Sequence, residues 1–295
     1  MSTRIGINPI TWSNDDLPAL GGETPLETCL REARQAGYAG IELGNKFPRQ
    51  SGTLRPILDR HGLALISGWY SGRLLERTVA EEIRAVEPHL RLLSDMGCAV
   101  MVFAETTGGV AGQRGRPVSQ RRRVVEADWP GFAERLTAVA DHLANRGVRM
   151  AYHHHMGTVI ETEAEIDRLM HATGESVGLL LDTGHLAYAG ADPAAVARRH
   201  ISRINHVHCK DVRPNVLAAM RKGDRSFLDA VVEGVFTVPG DGAVDFASVL
   251  AVLKSARYQG WLVVEAEQDQ TKAHPLTYAR MGYDYLSGAA RRIRL

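Results

Sequence analysis

The sequence has few cysteines, no excess of one charge sign and no long apolar run. Its 295 residues include three cysteines, Cys29, Cys98 and Cys209, which are odd in number and far apart. This spacing excludes a disulfide framework and favours a reducing compartment. A net charge of +1 offers no basic surface for nucleic acid. No apolar run has membrane-spanning length, and the N-terminus lacks the plan of a secretory signal. We expect a soluble, cytoplasmic protein that binds neither nucleic acid nor a membrane.

Short apolar runs alternate with amphipathic stretches along the whole chain. The eight runs are Arg4–Asn8, Gly40–Leu43, Leu63–Gly68, Ala99–Glu105, Val148–His155, Val177–Asp182, Ile204–Lys210 and Trp261–Glu267. The stretches with helical periodicity are Thr24–Ala36, Thr53–Arg60, Thr78–Met96, Asp128–Arg146, Thr162–Ala172, Asp192–Arg199 and Asp245–Ala256. Near-continuous apolar runs are typical of strands buried on both faces of a parallel sheet.

Eight apolar runs in regular alternation with helical stretches predict an α/β fold, a (β/α)₈ TIM barrel formed by a single domain over residues 1–295. A doubly wound sheet is less favoured, because no glycine-rich phosphate turn follows the first strand at Asn8–Trp12. Two insertions, near 106–128 and 212–240, interrupt the alternation. Both follow strands, so we expect them over the mouth of the barrel. The first contains Arg121–Arg123, which we interpret as a solvated face.

Ionisable side chains stand where the strands end, which is where barrels build active sites. Twelve histidines are present, and eight of them lie between His153 and His208, both included. Side chains two residues apart share a face of a strand. This alternation directs His153 and His155 into the barrel. It does the same for the pair His208 and Lys210, and for the pair Glu265 and Glu267.

The segment Asp182-Thr-Gly-His185 also follows a strand, and Gly184 is expected to permit a sharp backbone turn. Asp182 and His185 can then both face the barrel mouth. Together with His153, His208 and Glu265, Asp182 gives two imidazoles and two carboxylates. Such mixed ligands suit Mn²⁺, Co²⁺, Fe²⁺ or Zn²⁺, and suit Ca²⁺ poorly. The sequence therefore predicts a divalent metal site.

At these residues the chain resembles the xylose-isomerase-like barrel superfamily. The matching segments are Gly40–Leu43, Asp182–His185, His206–Asp211, Pro239–Gly242 and Glu265. The resemblance implies a divalent metal held by four residues from strands 5 to 8. Carried onto this chain, three of them are Asp182, His208 and Glu265. His153 stands where members of the superfamily have a glutamate, and imidazole can fill the same role.

A closer resemblance, over nearly the whole chain, is to the inosose dehydratase family. It is carried by Gly6–Asp16, Tyr152–Thr158, Phe236–Gly242 and Glu265–Asp269, of which Tyr-His-His-His is the most specific motif. The resemblance implies dehydration of 2-keto-myo-inositol, a polyhydroxylated keto-sugar, to a trihydroxycyclohexane dione during inositol breakdown. It also implies Mn²⁺ or Co²⁺ as the metal and glutathione as a further requirement, although no segment is typical of a glutathione site.

Loss of water from a β-hydroxy ketone requires a base for the α-proton and an acid for the leaving hydroxyl. The candidates for these catalytic roles are Lys210, Glu267, His155 and His185, and the sequence leaves open which is base and which is acid. Four further residues at or near strand ends are assigned to substrate binding: Trp12, Glu42, Trp69 and Glu105.

Other functions stay open on the sequence alone. A metal-dependent ketose isomerase or epimerase would share the fold and the metal site. An apurinic endonuclease would want more metal ligands and a basic face, and a non-catalytic sugar-binding barrel would have little use for a ring of ligands. The chain is also compatible with a homo-oligomer.

Overall fold

The apolar runs form a closed barrel of parallel strands. The computed structural model describes residues 4–294. The first seven strands are β1 (Arg4–Ile7), β2 (Gly40–Leu43), β3 (Ala64–Gly72), β4 (Val100–Glu105), β5 (Arg149–His153), β6 (Val177–Asp182) and β7 (Ile204–Cys209). Two short strands, β8 (Asp211–Val212) and β9 (Phe236–Thr237), pair with each other outside the barrel, and β10 (Trp261–Val264) closes it against β1. The predicted TIM barrel is confirmed.

Burial on both faces explains why most of the strands are apolar. All residues of β4, β6 and β7 are buried, since one face packs inside the barrel and the other under the helices. Three strand ends differ from the predicted runs by two residues or more. Strand β3 continues beyond Gly68 to Gly72, β5 ends at His153 and not at His155, and β10 ends at Val264. Glu265 and Glu267 therefore lie just after the last strand.

Helices cover the barrel between successive strands. They are α1 (Leu26–Ala36), α2 (Ser51–His61), α3 (Val79–Asp95), α4 (Trp129–Asn145), α5 (Glu163–Ala172), α6 (Thr183–Ala189), α7 (Pro193–His200), α8 (Pro214–Lys222), α9 (Phe227–Val232), α10 (Phe246–Ser255) and α11 (Pro275–Ile293). Thr78 and Thr162 each begin a helix with a complete capping box. Helix α11 was not predicted from the sequence. Helix α6 begins at Thr183, where a tight turn was expected in the segment Asp182–His185. No helix within residues 4–294 is long and apolar enough to cross a membrane.

The two insertions meet at the C-terminal end of the barrel. Segment 106–128 contains two 3₁₀ turns, and segment 212–240 contains α8 and α9. Pro117 forms a β-bridge with Ser226, and the Ser119 hydroxyl donates to Asp224 Oδ2 at 2.6 Å. Val118 packs in an apolar cluster that also includes Phe227. The insertions thus support each other above the strand ends.

The run Arg121–Arg123 is not a uniformly solvated face. Arg121 is buried, and its guanidinium donates to the carbonyl oxygens of Thr158 and Val159 at 3.2 and 3.3 Å. It also donates to both carboxylate oxygens of Glu165, at 2.7 and 2.9 Å. The sequence interpretation is wrong for Arg121, because these acceptors lie in the segment after β5 and draw the side chain inward. Arg123 is exposed as expected.

Candidate functional site

Four buried side chains converge at the C-terminal end of the barrel. His153 ends β5, Asp182 ends β6, His208 lies in β7 and Glu265 follows β10. One nitrogen or oxygen of each lies within 4.8 Å of the others. His153 Nε2 is 3.5 Å from Asp182 Oδ2. His208 Nδ1 is 3.6 Å from that oxygen and 2.9 Å from Glu265 Oε2. The structure thus brings together the four residues that the sequence predicted as metal ligands.

Hydrogen bonds on the far side of each imidazole decide which nitrogen faces this cluster. His153 Nδ1 lies 2.7 Å from the carbonyl oxygen of His154, which can only accept, so Nδ1 carries the proton. His208 Nε2 lies 3.2 Å from a carboxylate oxygen of Glu42 and carries the proton for the same reason. The lone pairs of His153 Nε2 and His208 Nδ1 are therefore left for a ligand.

The cluster has the features of a cation site. Asp182 Oδ2 and His208 Nδ1 are buried without a hydrogen-bond partner. An unpaired buried polar group costs about 1–3 kcal/mol, so a native chain rarely keeps two together without a function. The lone pair of His208 Nδ1 also faces an oxygen of Glu265 at 2.9 Å. Two imidazole nitrogens with carboxylate oxygens suit a divalent transition metal, so the residues present fit such an ion.

The two carboxylate oxygens of Asp182 have different roles. Its Oδ1 accepts from the backbone N–H of His185 at 2.8 Å and caps α6, which leaves Oδ2 to face the cluster. Burial opposes ionisation, but the Lys210 ammonium and the neighbouring histidines hold the pKa of Asp182 well below its ordinary value. The helix cap fixes the carboxylate in one orientation.

Gly184 is required here for space and not for backbone conformation. We expected it to permit a sharp turn, but it lies inside α6 and is not among the glycines with positive φ. A Cβ on Gly184 would stand 2.5 Å from Lys210 Cγ. The correct explanation is therefore that the lysine stem passes directly over Gly184.

A second cluster of ionisable groups adjoins the first. Lys210 Nζ lies 2.7 Å from Glu265 Oε1, 2.7 Å from Glu267 Oε1 and 3.0 Å from His185 Nε2. Lys210 is fully buried. Burial lowers the pKa of the lysine, but the carboxylates of Asp182, Glu265 and Glu267 outweigh this and raise it. The side chain is therefore a buried ammonium that links the two clusters.

His155 and Glu267 belong to the second cluster and reach the open cavity. His155 Nδ1 lies 2.8 Å from the carbonyl oxygen of Met156, so it donates there and leaves Nε2 as an acceptor. That nitrogen is 4.0 Å from Glu267 Oε1. Burial lowers the pKa of His155 to about 3 and raises the pKa of Glu267 to about 7. Lys210 and His185 do not line the cavity and lie behind these two residues.

The two clusters form the floor of a cavity of about 380 Å³. This lies within the range of about 300–1,000 Å³ typical of small-molecule sites. Predicted site residues that line it are Glu42, Trp69, His153, His155, His208, Glu265 and Glu267. Polar lining residues that were not predicted include Asn8, Asp15, Asp16, Asn45, Arg49 and Thr158. Asn8, Asp15 and Asp16 lie in segment 6–16, whose distinctive sequence was a signal for them, whereas Arg49 had none.

Trp69 forms one wall of the cavity. Its side chain is among the few large apolar ones that stay exposed, at 40%. The indole stands edge-to-face against His153 and His155, with ring centres 5.3 and 5.7 Å apart. Its Nε1 donates to Ser71 Oγ at 2.8 Å, which fixes the ring. Trp69 thus presents an apolar surface beside the candidate metal centre.

Trp12 and Glu105 do not line the cavity, which corrects their assignment to substrate binding. Trp12 is buried, and its Nε1 donates to Glu32 at 2.7 Å. Glu105 is fully buried and accepts from the backbone N–H groups of Leu74 at 2.5 Å and Thr107 at 3.0 Å. Packing and backbone hydrogen bonds therefore occupy both side chains.

Glu42 touches the cavity, but its oxygens are engaged elsewhere. It is 2% exposed and accepts hydrogen bonds from Asn8, Ser67, His206 and His208. Four protein donors thus occupy the carboxylate, and its assignment to substrate binding stays a prediction.

The sequence and the fold place the chain among known proteins. Residues 30–287 match the model of the family described as xylose isomerase-like TIM barrel. The chain is 57% identical to the rhizopine catabolism protein MocC of Rhizobium meliloti, over 98% of this chain and 89% of that protein. It is 44% identical to the inosose dehydratase of Geobacillus thermodenitrificans, over 96% of each. The chain belongs to the inosose dehydratase family of xylose isomerase-like barrels.

Solved structures agree with this fold. An L-ribulose 3-epimerase superimposes with a TM-score of 0.70 at 18% identity, covering 99% of this chain and 96% of its own. The IOLI protein with a bound zinc atom superimposes with a TM-score of 0.69 at 15% identity, covering 98% of each chain. At such identities the likeness supports the barrel alone. The curated relatives carry the family assignment.

Proposed function

We propose that the chain is an inosose dehydratase, a hydro-lyase that removes water from 2-keto-myo-inositol. One observation supports this proposal most strongly. The buried side chains of His153, Asp182, His208 and Glu265 converge beneath the cavity, and Asp182 Oδ2 and His208 Nδ1 have no hydrogen-bond partner. Curated relatives at 40–44% identity over nearly full length are named inosose dehydratase. The metal is a divalent transition ion, and Mn²⁺ or Co²⁺ is proposed for it.

The reaction needs negative charge to be stabilised and two protons to be moved. A divalent ion bound by the four residues would supply a Lewis acid for charge that develops on the ketone oxygen. Trp69 offers its apolar face to the ring, because it stands exposed beside His153 and His155. Asp15 and Asp16 line the cavity and can accept hydrogen bonds from substrate hydroxyls. The ring is thus held between an apolar wall and polar groups.

His155 and Glu267 are proposed to move the protons. Both line the cavity, and His155 Nε2 has a free lone pair because its other nitrogen donates to Met156. One of the two removes the α-proton and the other protonates the departing hydroxyl. Their 4.0 Å separation exceeds hydrogen-bond distance, so the proton returns through solvent after release of product. Lys210 contacts Glu267 at 2.7 Å and does not line the cavity, so it is proposed to position Glu267.

The deciding experiment is mass analysis of the product formed from 2-keto-myo-inositol by the metal-loaded protein. A product lighter by one water is expected. A product of unchanged mass would replace the proposal with an isomerase or epimerase, and no conversion would favour a binding protein. Parallel reactions with Mn²⁺, Co²⁺ and Zn²⁺, each with and without glutathione, test the metal and the thiol that the family resemblance implies.

A second role is favoured by one observation. The 57% identical relative is named for rhizopine catabolism, and its identity exceeds the 44% of the first inosose dehydratase. A role in rhizopine catabolism is therefore proposed for this chain beside the role in inositol breakdown. Growth of a deletion strain on rhizopine and on inositol separates these roles. If the deletion strain fails to grow on inositol but still grows on rhizopine, the rhizopine role is excluded.

We place this reaction in the cytoplasm. Cys29, Cys98 and Cys209 are all buried free thiols, which suits a reducing compartment. Cell fractionation with an antibody against the chain tests the location. Recovery in an extracellular or membrane fraction would contradict it.

A further inference from the structure

Glu42 lies beneath the candidate metal centre and binds two histidines at once. Its Oε1 is 2.8 Å from His206 Nε2 and 3.2 Å from His208 Nε2. The Ser67 hydroxyl donates to the same oxygen at 2.5 Å. The side chain is therefore a buried carboxylate surrounded by donors.

The other oxygen of Glu42 reaches a second candidate ligand through Asn8. Asn8 Nδ2 lies 2.7 Å from Glu42 Oε2 and 2.9 Å from Glu265 Oε2. Asn8 Oδ1 accepts from the backbone N–H of Ile10 at 2.9 Å, which fixes the amide so that its NH₂ faces the two carboxylates. Glu42 therefore contacts His208 directly and Glu265 through one shared amide.

The contact with His208 determines what this histidine can do. A neutral imidazole has one N–H and one lone pair, and only the lone pair can bind a metal. Because Glu42 accepts from Nε2, the proton is held there and Nδ1 faces Asp182 and Glu265 with its lone pair. Without that acceptor the proton could occupy Nδ1 and point into the position of the ion.

We propose that Glu42 is a positioning residue of the metal centre, which fixes the tautomer of His208 and, through Asn8, the orientation of Glu265. The inference rests on the metal centre of the proposed function. Carboxylates that hold a ligating histidine in this way typically contribute about 10–100-fold to metal affinity. Glu42 thus serves the metal and not the substrate.

Glu42→Gln tests the proposal, with Glu105→Gln as its matched control. Both carboxylates are buried in barrel strands, Glu42 in β2 and Glu105 in β4, but Glu105 accepts from the backbone amides of Leu74 and Thr107 and contacts no candidate metal ligand. A glutamine has one accepting oxygen and cannot serve Asn8 and the histidines together. Titration of the metal-free proteins with Mn²⁺ should show about 10–100-fold weaker binding for Glu42→Gln and unchanged binding for Glu105→Gln.

Nitrogen-15 NMR of the metal-free wild-type and Glu42→Gln proteins, recorded at a pH high enough to leave His208 neutral, gives a second readout. His208 should be protonated on Nε2, and in Glu42→Gln this preference should be lost. A wild-type His208 protonated on Nδ1, or equal Mn²⁺ affinities in wild type and Glu42→Gln, would overturn the role of Glu42 and leave the metal centre standing. Equal weakening in both variants would also overturn it. Absence of Mn²⁺ binding by the wild type would overturn the metal centre itself, and this inference with it.

Discussion

Gly184 lies directly under the side-chain stem of Lys210. A Cβ on Gly184 would stand 2.5 Å from Lys210 Cγ and 2.7 Å from Cδ. The lysine ammonium in turn contacts Glu265 and Glu267 at 2.7 Å. The space left by one missing methyl group on α6 therefore sets the position of two carboxylates in the site.

We expect Gly184→Ala to displace Lys210 and both carboxylates. Overpacking of a buried contact costs about 1–3 kcal/mol of stability. A shift of about 1 Å in groups that act on substrate can lower turnover by about 100-fold. Urea unfolding and steady-state kinetics measure the two effects. Gly52→Ala is the matched control, because Gly52 lies in the first turn of α2 with open space at its Cβ position. Equal effects of the two variants would contradict the packing argument.

Removal of the metal should abolish activity and lower stability. A ligand present at about 100 times its Kd stabilises the native state by about 2.7 kcal/mol, so Mn²⁺ should raise the unfolding temperature of chelator-treated protein. Asp182→Asn keeps an oxygen to cap α6 but removes the charge at Oδ2, so it should lose this Mn²⁺ response. Asp192→Asn, at the exposed cap of α7, should keep it. A Mn²⁺ response in Asp182→Asn equal to that of wild type would contradict the site.

The barrel and the metal cluster could be predicted from sequence because both follow from local pattern. Apolar runs of strand length, separated by capped helices, leave few folds other than a parallel barrel. Parallel strands end at one rim, so His153, Asp182 and His208 had to lie near each other. The alternation of side chains along a strand then predicted that His153 of β5 and His208 of β7 face the barrel interior, and both line the cavity.

Other features depend on partners that are distant in sequence. Arg121 is buried and Arg123 exposed because the carbonyls that Arg121 binds lie after β5. Glu105 ends a strand as an active-site residue would, yet its acceptors are satisfied by Leu74 and Thr107. Trp12 is held by Glu32 of α1, away from the cavity. None of these contacts can be predicted from the local sequence pattern around the residue.

Replacement of either proton-transfer residue should lower turnover without removing the metal. His155→Gln and Glu267→Gln should each reduce turnover by about 100-fold or more, the usual contribution of a general acid or base. Metal content, measured by elemental analysis, should stay at the wild-type value. His171→Gln on the exposed face of α5 is the control. If both site variants keep turnover within a few-fold of wild type, the assignment is wrong.

Arg121 should control the wall that segment 106–128 contributes to the cavity. Thr106, Gly109 and Ala111 of this segment line the cavity, and Arg121 ties the segment to Thr158 and Glu165. Removing one partner of a buried ion pair costs about 3–5 kcal/mol, because the other charge is left unpaired. Arg121→Met should therefore loosen the segment and raise KM, while Mn²⁺ affinity stays unchanged because the ligand cluster is held by other elements.

Limited trypsin digestion separates this local loosening from general unfolding. Arg114 is exposed in the segment and is followed by Gly115, so cleavage after Arg114 should accelerate in Arg121→Met well below its unfolding temperature. Arg123→Met removes a charge from the same run but disturbs no buried contact, so its cleavage rate and KM should match the wild type. Glu165→Gln should act in the same direction as Arg121→Met, because it weakens the same pair from the other side. If Arg121→Met and Arg123→Met are cut at the same rate and share one KM, the buried arginine does not hold the wall in place.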